Sequence, residues 1–314
     1  MTKRAVIFGG LGFIGHNLAK QLITLNYDVL IIDAYKSYNP RDLYFKRMER
    51  IPQAEIIGNE IEHLDDSVLW KLNQFQPTIA YHLANFPNNK LVYTYPHEAL
   101  TNFSSGLYNV LSYCAKANVE KFVYVSSSMI YGDFTIDPQS EQLPKKPKGL
   151  YGIYKRAAEL TTKDFCNINN IDWRIVRPSA VYGPLDNHDR VVGKFLHNAH
   201  NDMPLLLKGN EKLDFTYVSD TARGIMLAGI QDTDKKVFNI SRGKARSLAD
   251  LAKIVVEVVG KGSVVETCRD TSYPHRGQLD ISQARHYLDY DPKIDLEEGV
   301  KKYYKWYLKN LLKP

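Results

Sequence analysis

The sequence predicts an α/β protein: a doubly wound parallel sheet followed by a smaller mixed region. Two patterns carry that prediction. Through the first half, short apolar runs alternate with amphipathic helical stretches, as parallel strands joined by crossover helices require. After Gly183-Pro184 the alternation loosens and the segments become shorter and more varied. Right-handed crossovers leave the doubly wound sheet as the simplest arrangement of the first half.

The elements follow in order. Residues 5–8 form an apolar run ended by glycines, and a helical pattern continues to about Leu25. A second strand at 28–32 ends at Asp33, and strands at 55–57 and 78–82 come next. Residues 98–117 read as one long helix, 121–125 as a strand, 151–166 as a helix and 173–176 as a strand. Beyond them lie helices at 191–199, 219–229, 248–259 and 296–312, with short strands at 205–207 and 237–240. The chain divides into residues 1–183 and 184–314, the second part mainly binding substrate, with some late elements expected to return to the main sheet.

Composition excludes several classes. In 314 residues, 44% hydrophobic and 24% charged, there is enough apolar material for a large core, so neither a disordered chain nor a disulfide-stapled mini-domain fits. Cys114, Cys166 and Cys268 are too scattered for a disulfide framework or a zinc site, and no metal is expected. No apolar stretch reaches the roughly 18–20 residues of a membrane span. The opening Met-Thr-Lys-Arg lacks a signal peptide's apolar core and cleavage site, so a cytoplasmic location is expected. The net charge of +6 comes without zinc-finger spacing or a long basic arm, which favours an anionic small molecule over nucleic acid.

Val6-Ile7-Phe8 runs into Gly9-Gly10-Leu11-Gly12-Phe13-Ile14-Gly15 and then a helix. Gly9 permits the tight turn, Gly12 lets the backbone approach a pyrophosphate, and Gly15 lets the helix pack on the strand. Asp33, 18 residues beyond Gly15, ends the second strand and can accept hydrogen bonds from an adenosine ribose. It would repel a 2′-phosphate, so the expected cofactor is NAD, held by a Rossmann-type domain.

Val123-Tyr124-Val125 ends in Ser126-Ser127-Ser128, which places hydroxyls at the carboxyl edge of the sheet. Tyr151 and Lys155 stand four apart and share one helix face. An ammonium beside a phenol favours the phenolate, so Tyr151 is expected to act as a base. Lys155 can also hold the nicotinamide ribose, and a serine can orient the substrate hydroxyl.

Taken together, these segments resemble the extended, nucleotide-sugar-modifying branch of the short-chain dehydrogenase/reductase superfamily. The resemblance spans nearly the whole chain. It includes Tyr81-His82-Leu83-Ala84, Ser126 to Gly132, Tyr151 with Lys155, Arg177 to Pro184 and Asp214 to Asp220. It implies Ser127, Tyr151 and Lys155 as catalytic residues, since the family's catalytic hydroxyl lies five residues before the glycine of its Tyr-Gly pair. The implied cofactor contacts are Gly9, Gly12, Phe13, Ile14, Asp33, Ala84, Asn102, Ser126, Tyr151 and Lys155, with an adenine contact at Asn59 or Glu60. Ser127, Ser128, Ala180 and Arg276 are the implied substrate contacts, and a homodimer through helices 98–117 and 151–166 is implied as well.

Members of this branch begin by oxidising C4 of a nucleotide-linked sugar. Its dehydratases carry Asp-Glu where this sequence has Ser128 and Met129, and its decarboxylases tend to carry Glu at 129. A 4-epimerase needs no such acid, so NAD-dependent 4-epimerisation of a nucleotide-diphosphate sugar is the expected activity. Two departures stand against the pattern: Ala180 replaces a diphosphate-holding Asn, and Leu213 replaces an Arg. They leave a 4-oxidoreductase releasing the 4-keto sugar as the alternative. Decarboxylase, 4,6-dehydratase and non-catalytic NAD-sensor readings rank lower.

Overall fold

The computed structural model describes residues 3–36, 41–187, 189–209, 211–269, 271 and 273–311. Six strands alternate with helices: Lys3–Phe8 (β1), Tyr27–Asp33 (β2), Glu55–Gly58 (β3), Ile79–His82 (β4), Lys121–Val125 (β5) and Asp172–Pro178 (β6). With the late strand Val237–Ile240 beside β6, they form one seven-stranded sheet in the order Val237–Ile240, β6, β5, β4, β1, β2, β3. Every pairing in it is parallel.

Both faces of the sheet are covered, so the strand residues are buried whichever way they point. Ile7, Ile31, Tyr81, Val123 and Val176 pack on one side with Leu18 and Leu22 of the first helix and Ile225 of helix Val218–Ile230. Val6, Phe8, Leu30, Phe122 and Tyr124 pack on the other side with Leu107, Val110 and Leu111. A third cluster, including Tyr182, Phe195, Leu213, Leu251, Val300 and Tyr303, holds the C-terminal part together.

Register decides where the site lies. Phe8 pairs with Ile32 on one flank and with His82 on the other; His82 pairs with Tyr124, and Val125 with Val176. The strands therefore end in one row, and the strand order reverses between β1 and β4. Loops beyond that reversal form a crevice at the carboxyl ends, where open α/β sheets bind ligands.

The helix expected over 98–117 is interrupted. Pro96–Thr101 and Leu107–Lys116 are α-helical, and between them Asn102–Gly106 forms a π-helical turn. The hydroxyls of Thr101, Ser104 and Ser105 donate to the carbonyls four residues back, competing with the regular ladder. The last helix is Leu296–Leu311, and Leu312 lies outside the described residues. Among the described residues, no helix is long and apolar enough to cross a membrane.

Candidate active site

A cleft of about 1050 Å³ opens over the strand ends. It is lined by Gly9, Gly12, Phe13, Ile14, Asp33, Asn59, Ala84, Asn102, Ser126, Ser127, Ser128, Tyr151, Lys155, Ala180 and Arg276. Glu60 does not line it; its carboxylate pairs with Lys36 Nζ at 2.7 Å, and Lys36 is the residue on the wall.

The glycine loop is shaped by close backbone contacts. Gly9 has φ +82°, and a Cβ there would stand 2.6 Å from the Ala84 nitrogen. A Cβ at Gly15 would stand 2.3 Å from the Gly9 carbonyl oxygen. His16 buttresses the loop from behind: its Nδ1 donates to the Gly12 carbonyl at 2.9 Å, while Arg50 donates to Nε2 at 2.9 Å. Arginine only donates, so this contact fixes the histidine tautomer. Burial lowers the His16 pKa to about 3, keeping the ring neutral.

Asp33 is buried at the end of β2. Its carboxylate accepts from the backbone N–H of Leu11 at 2.9 Å and of Tyr35 at 3.1 Å. Burial nevertheless raises its pKa, outweighing those hydrogen bonds. A carboxylate oxygen has room for further donors, such as ribose hydroxyls. Three buried polar atoms of residues on the same cleft have no hydrogen-bond partner among the described residues: Arg47 Nε, Asn59 Oδ1 and Ser126 Oγ. An orphaned buried acceptor and hydroxyl are costly unless a ligand completes them. With the Gly12 backbone open to the cleft, these features fit a dinucleotide.

Ser127, Tyr151 and Lys155 sit at the other end. Tyr151 and Lys155 lie on helix Leu150–Ile168, and Ser127 follows β5. Tyr151 shares a hydrogen bond with the Ser127 hydroxyl, which also accepts from the Met129 N–H at 3.2 Å. Lys155 Nζ donates to the Val125 carbonyl at 2.7 Å and to Asn85 Oδ1 at 3.0 Å. Burial lowers the Lys155 pKa to about 7, against a smaller raising effect of Glu159.

Here the electrostatics differ from the sequence expectation. Burial raises the Tyr151 pKa; the opposing influences are the Arg190 charge and the Ser127 hydrogen bond, not Lys155. Four-residue spacing makes the two side chains neighbours, yet both are withdrawn from water, and desolvation penalises each charged form. A phenolate at Tyr151 therefore needs additional positive charge in the cleft.

Several contributors were not legible in sequence. Asn85 lies three residues beyond the end of β4 and accepts from Lys155. Asp186 holds Arg190 at 3.3 Å, and burial raises the Asp186 pKa to about 6. Glu159, one turn beyond Lys155, makes a bidentate pair with Arg177, both bonds 2.9 Å and both residues buried. Arg47, almost fully buried, donates to the carbonyls of Leu11 at 3.0 Å and Leu185 at 2.8 Å.

Elsewhere on the cleft, Ala180 has φ +38° and contributes only a methyl side chain, while Leu213 adds an apolar wall. Arg276 reaches the cleft with no hydrogen bond to any described residue. Arg269, also lining it, is tied to Glu211 and to the Tyr273 carbonyl at 2.8 Å. Among the described residues, nine Lys and Arg side chains line the cleft against five Asp and Glu, which favours an anionic occupant. Among the described residues, no three His, Cys, Asp or Glu side chains are grouped to hold a metal ion.

Comparison with known proteins agrees with this architecture. A putative UDP-glucose 4-epimerase of Methanocaldococcus jannaschii is 29% identical, over 97% of this chain and 98% of its own. UDP-glucuronic acid decarboxylase 1 of Arabidopsis thaliana is 30% identical over 95% of this chain and 68% of its own. The crystal structure of UDP-glucuronic acid 4-epimerase from Bacillus cereus, in complex with UDP-glucuronic acid and NAD, superimposes with a TM-score of 0.89. That match covers 98% of this chain and 99% of the other at 26% identity. Residues 5–241 match the model of the NAD dependent epimerase/dehydratase family. With its glycine loop, Asp33 and the Ser127–Tyr151–Lys155 group on one cleft, the chain belongs to that family, an enzyme whose cofactor is NAD.

Proposed function

We propose that this protein is an NAD-dependent 4-epimerase of a nucleotide-diphosphate sugar. One observation carries the reading: Ser127, Tyr151 and Lys155 meet at one end of the cleft, with Ser128 and Met129 beside them and no carboxylate on that segment. This set can exchange a proton at a sugar hydroxyl but offers no acid there for expelling water. The relatives' substrates, UDP-glucose and UDP-glucuronic acid, belong to the same chemical class.

When bound, NAD accepts hydride from C4 and returns it. The chain does the rest. Tyr151 takes the C4 hydroxyl proton, helped by the positive charge that the oxidised cofactor and Arg190 bring near it. Ser127 holds the sugar oxygen, and Tyr151 gives the proton back after the keto sugar has turned. Asp33 and Asn59 hold the adenosine, Ser126 and Lys155 the nicotinamide end, and Arg276 the diphosphate. Preorganised donors that need not reorient supply the rate.

Ala180 and Leu213 favour one second reading. Neither side chain can donate to a diphosphate, so a weakly held 4-keto sugar would leave before hydride returned, and the enzyme would be a 4-oxidoreductase. Incubation with UDP-, GDP-, CDP- and dTDP-sugars, followed by mass and NMR analysis, separates the two. Unchanged mass with inverted C4 supports the epimerase; loss of two hydrogens supports the oxidoreductase. Release of carbon dioxide or water would overturn both.

The protein is also proposed to be a homodimer. Leu100, Tyr108, Ile153 and Leu160 are each about half exposed on the two helical segments expected to pair. Covering such an apolar set is favourable at roughly 25 cal/mol per Å². Light scattering should give twice the chain mass, and Tyr108→Lys with Leu160→Lys should halve it.

A further inference from the structure

Asn85 occupies a position from which it can direct Lys155, and the direction is set by residues farther away. Glu62 Oε1 and the Ala84 carbonyl both accept from Asn102 Nδ2, at 3.1 and 3.2 Å. Neither can donate, so Asn102 must turn its amide nitrogen toward them and its oxygen away. That oxygen accepts from Asn85 Nδ2 at 3.2 Å. Asn85 therefore presents its own oxygen to two donors, Lys155 Nζ at 3.0 Å and the Tyr124 hydroxyl at 3.2 Å. The ambiguity of an amide flip disappears, because the chain from Glu62 to Lys155 runs in one direction only.

The lysine end completes the argument. An ammonium has three N–H donors. Two of them are committed, one to the Val125 carbonyl and one to Asn85. Tetrahedral geometry then fixes the third, and Lys155 lines the cleft. A lysine normally swings on a flexible four-carbon stem. Here two neutral acceptors remove that freedom, and Asn85 is the one supplied by a side chain. The π-helical turn Asn102–Gly106 starts at Asn102, so the irregular backbone lies where the chain needs its second amide.

We propose that Asn85 is a positioning residue for the reaction: fixed by Asn102 and Glu62, it aims the third N–H of Lys155 at the occupant of the cleft. This rests on the reading of Lys155 as a cofactor- and proton-handling residue. The titratable groups facing Lys155 are Glu159 and Tyr151 on its own helix, Tyr124 on β5 and His82 on β4; the Phe103 ring also faces it, 5.5 Å from its nitrogen. Only Glu159 favours the ammonium by charge. An acceptor at 85 is thus one of few groups that keep Lys155 protonated.

Three variants test this: Asn85→Ala, Asn85→Asp and, as a control on the underlying reading, Lys155→Met. Two measurements are made on each, NAD affinity by calorimetry across pH 6–9 and the pH profile of kcat/KM for the sugar nucleotide. Asn85→Ala should weaken NAD about tenfold, the scale of one charge-assisted hydrogen bond, and move the alkaline limb to lower pH. Asn85→Asp keeps an acceptor facing Lys155 and adds charge, so it should restore most affinity and move the limb to higher pH. Unmoved limbs in both variants, with equal losses or none, would overturn the proposal. Full NAD affinity and turnover in Lys155→Met would instead overturn the role of Lys155. Should Asn85→Ala fail to fold, the opposite limb shift in Asn85→Asp decides alone.

Discussion

The amine nitrogen of Lys155 lies 5.9 Å from the Tyr151 ring centroid, yet it does not dominate the phenol's acidity. Burial does, and it acts on both partners: the tyrosine pKa rises and the lysine pKa falls to about 7. Burial thus works against the charged form of each partner, and positive charge brought by a ligand favours the phenolate. Activation is a property of the loaded cleft.

Tyr151→Phe should abolish hydride transfer, with turnover falling at least about a thousandfold, within the range of general acid–base contributions. NAD affinity should change less than threefold. Absorbance of reduced cofactor under single-turnover conditions reads the first quantity and calorimetry the second. Near-normal reduction would remove Tyr151 from its role.

Asp33→Ala should weaken NAD by roughly ten- to a hundredfold, since hydrogen bonds to a charged group contribute about 1.5–3 kcal/mol. NADP affinity should fall less, because the lost carboxylate also repelled the 2′-phosphate. The ratio of the two dissociation constants is the measurement. An equal loss for both would show that Asp33 only supports the Leu11 and Tyr35 backbone.

Acid should destabilise the protein through two histidines. His16 and His82 are fully buried, and burial lowers both pKa values from 6.5 to about 3. Each folded pKa lies below the unfolded one, so stability is complete above about pH 6.5 and is lost as pH falls toward 3. Each can contribute up to roughly 5 kcal/mol of that loss, at about 1.36 kcal/mol per pH unit. Among the described residues neither nitrogen of His82 has a hydrogen-bond partner, so His82→Phe should flatten the acid slope of urea midpoints between pH 6 and 4. An unchanged slope would refute this account.

Glu159→Gln should cost about 3–5 kcal/mol, the usual consequence of leaving one member of a buried ion pair behind. Arg177 keeps its contact with the Tyr131 hydroxyl at 2.9 Å but loses its counter-charge. Urea unfolding reads the loss. A change below about 1 kcal/mol would mean that the cavity admits water freely.

Much of the site was legible because its residues act through local geometry. Gly9 to Gly15 form a turn and a helix start; Tyr151 and Lys155 are separated by one helical turn; Asp33 and Ser126 mark strand ends. Such relations need only a few consecutive residues. Asn85 was not legible, because a single Asn in a loop has no period, and its role depends on Asn102, Glu62 and Lys155 arriving from three other elements. Glu60 shows the same limit in reverse. One residue's displacement along the chain turns its carboxylate to Lys36, leaving Asn59 on the cleft. The helix expected over 98–117 is interrupted where exposed serine and threonine hydroxyls bond back to the backbone, which the spacing of apolar residues does not record.

The sequence by itself determined the alternation of strands and helices, the glycine loop and which side chains are proposed to react. Each follows from steric and hydrogen-bonding preferences within a turn or two of chain. Only the tertiary structure decided the charge states of Tyr151 and Lys155, the direction of the Glu62–Asn102–Asn85 chain, and the return of Val237–Ile240 to the edge of the main sheet. Desolvation and long-range pairing depend on what the rest of the chain places around a residue, and no local pattern records that.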